Sequence, residues 1–231
     1  MDRVDPSSSP RPSRDVVGIV LAGGRSTRLA QGFDLPAGGK AAVDLGGRSL
    51  LERVVETLAA EVASTIVVAA AGQPLPAGMA AWVVRDATLA AGPLAGLRDG
   101  LAAAAGGAEP PRLAFVASCD APLLRREVVR LLIAAARSTG ALWTVPEVQG
   151  HRQVLTSVVA LEMLPLIETW LAAGRRDLRG LCAEIDRAGP GRVHVVAEPR
   201  IVAVDPALDS FADVDTPADL RAIERRLPPS G

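Results

Sequence analysis

The sequence predicts an α/β protein: a mostly parallel, doubly wound sheet with helices on both faces, folded as a single domain. Three observations carry that prediction. Short apolar runs bounded by turn residues recur along the chain, the pattern of central strands covered on both faces. Stretches with apolar residues at i, i+3 and i+4 spacing alternate with them, which is the order of βαβ units. A chain of 231 residues, 49% of them hydrophobic, is long enough to bury one sizeable core.

Taken in order, residues 1–15 (MDRVDPSSSPRPSRD) are rich in Ser, Pro and charge and are expected to form a disordered tail ahead of a domain spanning 16–227. The apolar runs VVGIVLA (16–22), TIVVAAA (65–71), AWVV (81–84) and LAFVAS (113–118) are the expected central strands. Helices are expected from SLLERVVETLAAEV (49–62), LAGLRDGLAAAA (94–105) and REVVRLLIAAARS (126–138). After GALWTVP the order loosens: RQVLTSVVA (152–160) reads as a strand, LPLIETWLAAG and DLRGLCAEID as helices, and GRVHVVA (191–197) as a late strand. DTPADLRAIERRL carries a helix start, with Thr216 as N-cap, Pro217 at the first helical position and Asp219 in the capping-box place. Residues 228–231 form a short C-terminal tail.

Bulk properties exclude several classes of function. A formal net charge of −1 favours neither a nucleic acid nor an anionic membrane as partner, so any polyanion is met by a local site. No apolar run is long enough to span a bilayer and no signal peptide is apparent, so a cytoplasmic location is expected. Cys119 and Cys182 belong to no ligand pattern, which points to reduced thiols.

Four segments carry chemistry. LAGGRSTR (21–28) follows the first strand, where open α/β sheets bind ligands. Gly23 and Gly24 permit a loop whose amides face phosphate oxygens, and Arg25, Arg28 and Lys40 supply positive charge. The pattern is neither GxGxxG nor GxxxxGK[ST], and taken alone it also suits a tight surface turn with solvated arginines. In CDAP (119–122), Asp120 at a strand's carboxyl end suits Mg²⁺, or equally a cap for the following helix. In FADVDTPADL, Asp213 and Asp215 alternate on a short extended segment, either as further metal ligands or as loop and turn residues. In DATLAAGPLAGL, Asp86 follows a strand and residues 92–96 open a helix, whose N-terminus attracts anions; a plain loop and cap is the other reading.

Together with KAAVDLGGRSLLERV (40–54), these segments resemble the signature stretches of the molybdenum cofactor guanylyltransferases, over roughly residues 16–227. GPLAGL is the discriminating stretch, since cytidylyltransferase relatives usually carry a Ser-rich segment there. The resemblance implies a Rossmann-like fold of the nucleotide-diphospho-sugar transferase type. It also implies a nucleotide site at Leu21, Ala22, Gly23, Gly24, Arg25 and Ser26, with Arg28 and Lys40 on the phosphates. Asp86 then contacts the guanine nucleotide, Gly92, Pro93, Leu94, Ala95 and Gly96 approach it, and Asp120 binds Mg²⁺, with Asp215 as a second ligand. Arg28, Lys40 and Asp120 are the implied catalytic residues. The implied reaction transfers GMP from GTP to the terminal phosphate of a molybdopterin-type cofactor, with transient contact to proteins of the same pathway.

The sequence departs from that family in two places. LAQGFDLPAGG (29–39) lengthens the segment between the arginine and Lys40, and its Gly and Pro content is expected to let it bulge into solvent at a small closure cost. Asp213 and Asp215 stand where the family more often shows asparagines. Two other readings remain: a transferase of the same fold with another nucleotide or acceptor, of cytidylyl or sugar-phosphate type, and a noncatalytic nucleotide-binding homologue. The segment 147–192 is expected to shape the acceptor pocket, with Gln153 either a substrate contact or simply the polar start of a strand. His151 and His194 need no role.

Overall fold

A computed structural model describes residues 13–23, 27–31, 34–85 and 92–227. Its strands are β1 (Ser13–Leu21), β2 (Val62–Ala69), β3 (Trp82–Arg85), β4 (Leu113–Ser118), β5 (Trp143–Val148), β6 (His151–Arg152), β7 (Thr156–Ala160) and β8 (Val193–Val196). The helices are α1 (Thr27–Ala30), α2 (Leu50–Ala59), α3 (Pro93–Ala105), α4 (Arg126–Thr139), α5 (Leu164–Ala172), α6 (Leu178–Arg187), α7 (Glu198–Val202) and α8 (Pro217–Glu224).

The strands form one sheet in the order β3-β2-β1-β4-β7-β5-β6, with β8 on β5. β3, β2, β1 and β4 are mutually parallel, as are β5 and β8. β7 runs antiparallel between β4 and β5, so the sheet is mixed there. The strand expected over 152–160 is broken: Arg152 ends β6, a turn follows at 154–155, and only Thr156–Ala160 forms β7. Nor does the sequence foretell the direction of β7, which is set by how the chain crosses over and not by apolar spacing. The buried indole of Trp143 joins β5 to β7 by donating to Ser157 Oγ at 2.9 Å.

Alternation along β1 explains the two layers. Val16 and Val20 face a core shared with α2 and α4, while Val17, Ile19 and Leu21 face one shared with α3, α5 and α6. β4 repeats the pattern with Phe115 and Ala117 on the first face, Ala114 and Val116 on the second. Helix α3 reaches its strand closely: a Cβ on Gly100 would lie 2.7 Å from Ile19 Cγ2.

Two expectations shift. The first strand begins at Ser13 and not near residue 16, because Ser13 pairs with Val62 across an irregularity, the Asp15 carbonyl accepts from Arg112 N, and the Asp15 carboxylate pairs with Arg137. The AWVV run is an edge strand and not a central one: Trp82 is 74% exposed and, among the described residues, only β2 borders it. Continuous apolar spacing does not distinguish an edge from a centre.

A third, smaller apolar cluster lies beside the sheet. Leu29, Val43, Leu45, Leu50, Val214, Leu220 and Ile223 are buried together, with Leu35 and Leu123 packed against them. Leu29 and Leu35 belong to the stretch expected to bulge into solvent. Instead they anchor it: burying a leucine side chain contributes about 1.5–3 kcal/mol, whereas each doubling of loop length adds only about 0.6 kcal/mol to the closure cost. This cluster binds the Lys40 region to the segment that carries Asp213 and Asp215.

Candidate nucleotide site

The site forms where β1 and β4 end. Cys119 N donates to the Leu21 carbonyl at 3.1 Å and Ala22 N to the Val68 carbonyl at 2.9 Å, so the exits of β1, β2 and β4 lie side by side. One residue past Cys119, the Asp120 carbonyl accepts from Val214 N at 2.8 Å. That bond brings CDAP against the segment holding Asp213 and Asp215, distant in sequence. Asp215 is fixed in turn by α8. Its N–H and that of Thr216 donate to the Asp219 carboxylate at 3.2 and 2.7 Å, while Asp219 N donates back to Thr216 Oγ1, completing the capping box.

Lys40, in the tight helical turn Gly39–Ala42, closes the arrangement. Its Nζ lies 2.8 Å from Asp120 Oδ2 and 2.8 Å from Asp215 Oδ1, with only 11% of the lysine side chain exposed. Burial alone lowers the lysine's affinity for its proton, but the charges and hydrogen bonds of Asp120 and Asp215 outweigh that and raise it above the ordinary value. Lys40 is therefore a permanent cation. The family resemblance implies separate tasks for Lys40 and Asp120, one on phosphate and one on metal; the structure joins the two side chains in a single ion-paired unit. The reading of Asp120 as a helix cap is excluded, since α4 starts only after Arg125 and the Asp120 carboxylate is on Lys40.

Asp213 adds a third carboxylate. Partial loss of surrounding water, then the like charges of Asp120 and Asp215, push it up to about 7. The side chain itself is exposed to the cleft, so the crowding of like charge is the firmer of the two causes. Two carboxylates on one ammonium, with Asp213 close by, leave a surplus of negative charge that favours a further cation. All three are hard oxygen donors, which fits Mg²⁺. Among the described residues no group of three or more His, Cys, Asp or Glu is preformed to hold a metal ion; Asp120 and Asp215 are gathered on Lys40 instead. Next to Asp120, burial and that aspartate's charge push the Cys119 thiol up to about 12, so it is inert.

The carboxylates open onto a cavity of about 550 Å³. Pro93, Gln153, Thr156, Arg176 and Arg179 are among the residues that line it. Gly92 adopts φ +85°, a conformation suited to glycine, and turns the chain into the first turn of α3. Of the residues expected to approach a nucleotide there, Gly92 and Pro93 are exposed. Leu94 and Ala95 are buried in the core, and a Cβ on Gly96 would sit 3.3 Å from Leu21 Cδ2. Their side chains hold the helix, leaving the N-terminal backbone of α3 for a ligand. At the exit of β1, Leu21 and Ala22 are buried and Gly23 is exposed. Gly24, Arg25, Ser26 and Asp86 lie outside the described residues, as does the side chain of Arg28.

Sequence reasoning missed Gln73. Its carboxamide donates to the Ala22 carbonyl at 3.1 Å and to the Gly38 carbonyl at 2.9 Å, and accepts from Ala70 N at 3.1 Å. Nothing in AAAGQPLPAG separates that glutamine from an ordinary loop residue.

A glycine-bearing exit from the first strand of an open α/β sheet, faced by a lysine and by acidic residues from the end of β4 and from the segment before α8, defines a nucleotide-handling α/β enzyme. The chain belongs to the MobA-like NTP transferase domain family, which matches residues 18–200, and it is a nucleotidyltransferase. It is 31% identical over 213 residues to a molybdenum cofactor guanylyltransferase of Desulfosudis oleivorans, covering 92% of this chain and 96% of that protein. It is 35% identical over 211 residues to a Mycobacterium avium (strain 104) protein named "Probable molybdenum cofactor guanylyltransferase", covering 91% and 96%. Among solved structures, molybdopterin-guanine dinucleotide biosynthesis protein A of Archaeoglobus fulgidus shares the fold, with a TM-score of 0.71 at 21% identity over 90% of this chain and 97% of that one.

Proposed function

We propose that this protein acts in molybdenum cofactor biosynthesis, transferring GMP from GTP to the terminal phosphate of a molybdopterin-type cofactor and releasing pyrophosphate. The observation that carries this reading is the Lys40–Asp120–Asp215 unit, whose two carboxylates line a cavity of about 550 Å³. The names of its relatives supply the substrates.

In the reaction an oxygen of the acceptor phosphate forms a bond to the α-phosphorus of GTP. The bond from that phosphorus to the bridging oxygen breaks, and pyrophosphate leaves with the electron pair. Both reactants are anions, so the site must neutralise charge and hold an in-line geometry more than it must supply an acid or base. Lys40 provides a fixed positive charge at the exit of β1. The amides at the exit of β1 and the first turn of α3 receive phosphate and nucleotide, and the sequence that follows β1 carries the further positive charges of Arg25 and Arg28. Asp120 and Asp215 would hold Mg²⁺, which supplies charge neutralisation between the reacting phosphates. The acceptor occupies the side of the cavity lined by Gln153, Thr156, Arg176 and Arg179. The reaction takes place in the cytoplasm, with the product handed to proteins of the same pathway.

Nucleotide choice tests the reading. Thermal unfolding with Mg²⁺ and each nucleoside triphosphate is expected to show the largest rise in Tm with GTP. A larger rise with CTP or UTP would reject the guanylyl assignment.

A further inference from the structure

Gln73 stands outside the proposed chemistry, yet it touches both halves of the nucleotide loop. Its side-chain nitrogen has two hydrogens and spends both on carbonyls, one at the end of β1 (Ala22) and one just before the Lys40 turn (Gly38). Its side-chain oxygen accepts the Ala70 amide at the end of β2. The turn that carries Gln73 is braced from behind, because Arg85 Nη1 donates to the carbonyls of Ala70 and Gln73 at 3.1 and 2.7 Å.

A second contact points the same way. Gly38 lies so close to this turn that a Cβ there would sit 2.6 Å from the Pro74 carbonyl oxygen and 2.6 Å from Ala42 Cβ. The segment returning from the lengthened stretch is thus seated on the Gln73–Pro74 backbone and tied to it through the carboxamide. Lys40 follows two residues later, its ammonium already committed to Asp120 and Asp215.

We infer that Gln73 is a positioning residue, a three-point brace that sets the Lys40 turn against the exit of β1 and so fixes where the lysine charge stands. The inference rests on the reading of Lys40 as the phosphate-neutralising cation. Only a carboxamide of this length meets the demand. Glutamate would set a carboxylate against two carbonyl oxygens, and methionine would leave three backbone groups without their partner.

The test uses the full chain with Gln73→Glu, and Gln73→Met as the uncharged variant should the first fail to fold. Amide exchange at Gly39 and Val43, whose hydrogen bonds close the Lys40 turn, is expected to quicken at least about tenfold, with Ile19 and Val67 in the sheet unchanged. Pyrophosphate release from GTP is expected to lose about 10²-fold in kcat, the scale of a misplaced reacting group, with KM for GTP moving far less. In a Lys40→Ala background the same Gln73 change is expected to cost little more, since it acts through the lysine. Unchanged exchange at Gly39 and Val43, or a kcat loss that persists in full without Lys40, would overturn the inference. Should even the unsubstituted protein release no pyrophosphate, the functional reading fails, and the exchange rates alone decide for or against the brace.

Discussion

Lys40 and Asp120, 80 residues apart in sequence, stand 2.8 Å from each other beside the cavity that Asp120 lines, and Asp215 shares the same ammonium. The pair stores a charge arrangement: remove the cation and the Asp120 and Asp215 carboxylates lose the positive charge they share, with Asp213 adding like charge close by. Lys40→Met is therefore expected to lower Tm, and Mg²⁺ is expected to restore more of it than it adds to the unsubstituted protein. Replacing the lysine is also expected to cost about 10²–10³-fold in kcat, the scale seen when one preorganised charge donor is removed. Thermal unfolding with and without Mg²⁺ reads the first effect. Equal Mg²⁺ responses in the two proteins would show that the carboxylates do not share a cation site.

Adjacent glycines in the Lys40 turn are expected to respond differently to the same substitution. Gly38→Ala must drive a methyl into the Pro74 carbonyl oxygen and Ala42, each at 2.6 Å, so the turn has to move. Overpacking of this kind costs about 1–3 kcal/mol, and here it also displaces Lys40. Gly39→Ala meets nothing within 4 Å and pays only for its φ of +67°, about 1–2 kcal/mol. Pyrophosphate release is expected to fall much further for Gly38→Ala than for Gly39→Ala at similar stability. Equal losses would show that the close approach of Gly38 to Pro74 has no bearing on the site.

Much of this architecture can be read from residue patterns. The helix starts at Ser49 and Thr216 are local, set by a side chain reaching an amide three residues on, and both capping boxes are present. That Asp120 and Asp215 can share a site is one of the two readings their motifs allow; the bond from Val214 N to the Asp120 carbonyl that brings them together is long-range. What sequence patterns could not supply is non-local. The antiparallel insertion of β7 depends on the path of the chain, and the exposure of β3 depends on which strand ends the sheet. The fate of the stretch before Lys40 turned on whether Leu29 and Leu35 would find apolar partners, and these came from the distant Val214, Leu220 and Ile223. Gln73 was hidden for the same reason, since its partners are backbone atoms of three separate segments.

The two capping boxes also make a prediction about acid. Hydrogen bonds from the Ser49 side chain and backbone hold the Glu52 carboxyl below its ordinary value of 4.5. A carboxyl lowered in the folded state binds fewer protons than in the unfolded chain. Its stabilisation is complete above that ordinary value and is lost as pH falls through the lowered one. Ser49→Ala is expected to cost about 1 kcal/mol at neutral pH, and the gap between variant and parent is expected to narrow below pH 4.5. Denaturant titrations at neutral and acid pH measure this. A gap that stays constant would mean the Glu52 carboxylate adds nothing to the cap.

The central claim is that the ends of β1 and β4, with Lys40 and Asp120 between them, form the catalytic cradle of a guanylyltransferase. Its most direct test is pyrophosphate release by purified protein given GTP, Mg²⁺ and molybdopterin-type cofactor, run beside Asp120→Asn. The account predicts acceptor-dependent pyrophosphate release that the asparagine variant loses while remaining folded. Full activity in Asp120→Asn, or no release by the unsubstituted protein with active cofactor present, would contradict it.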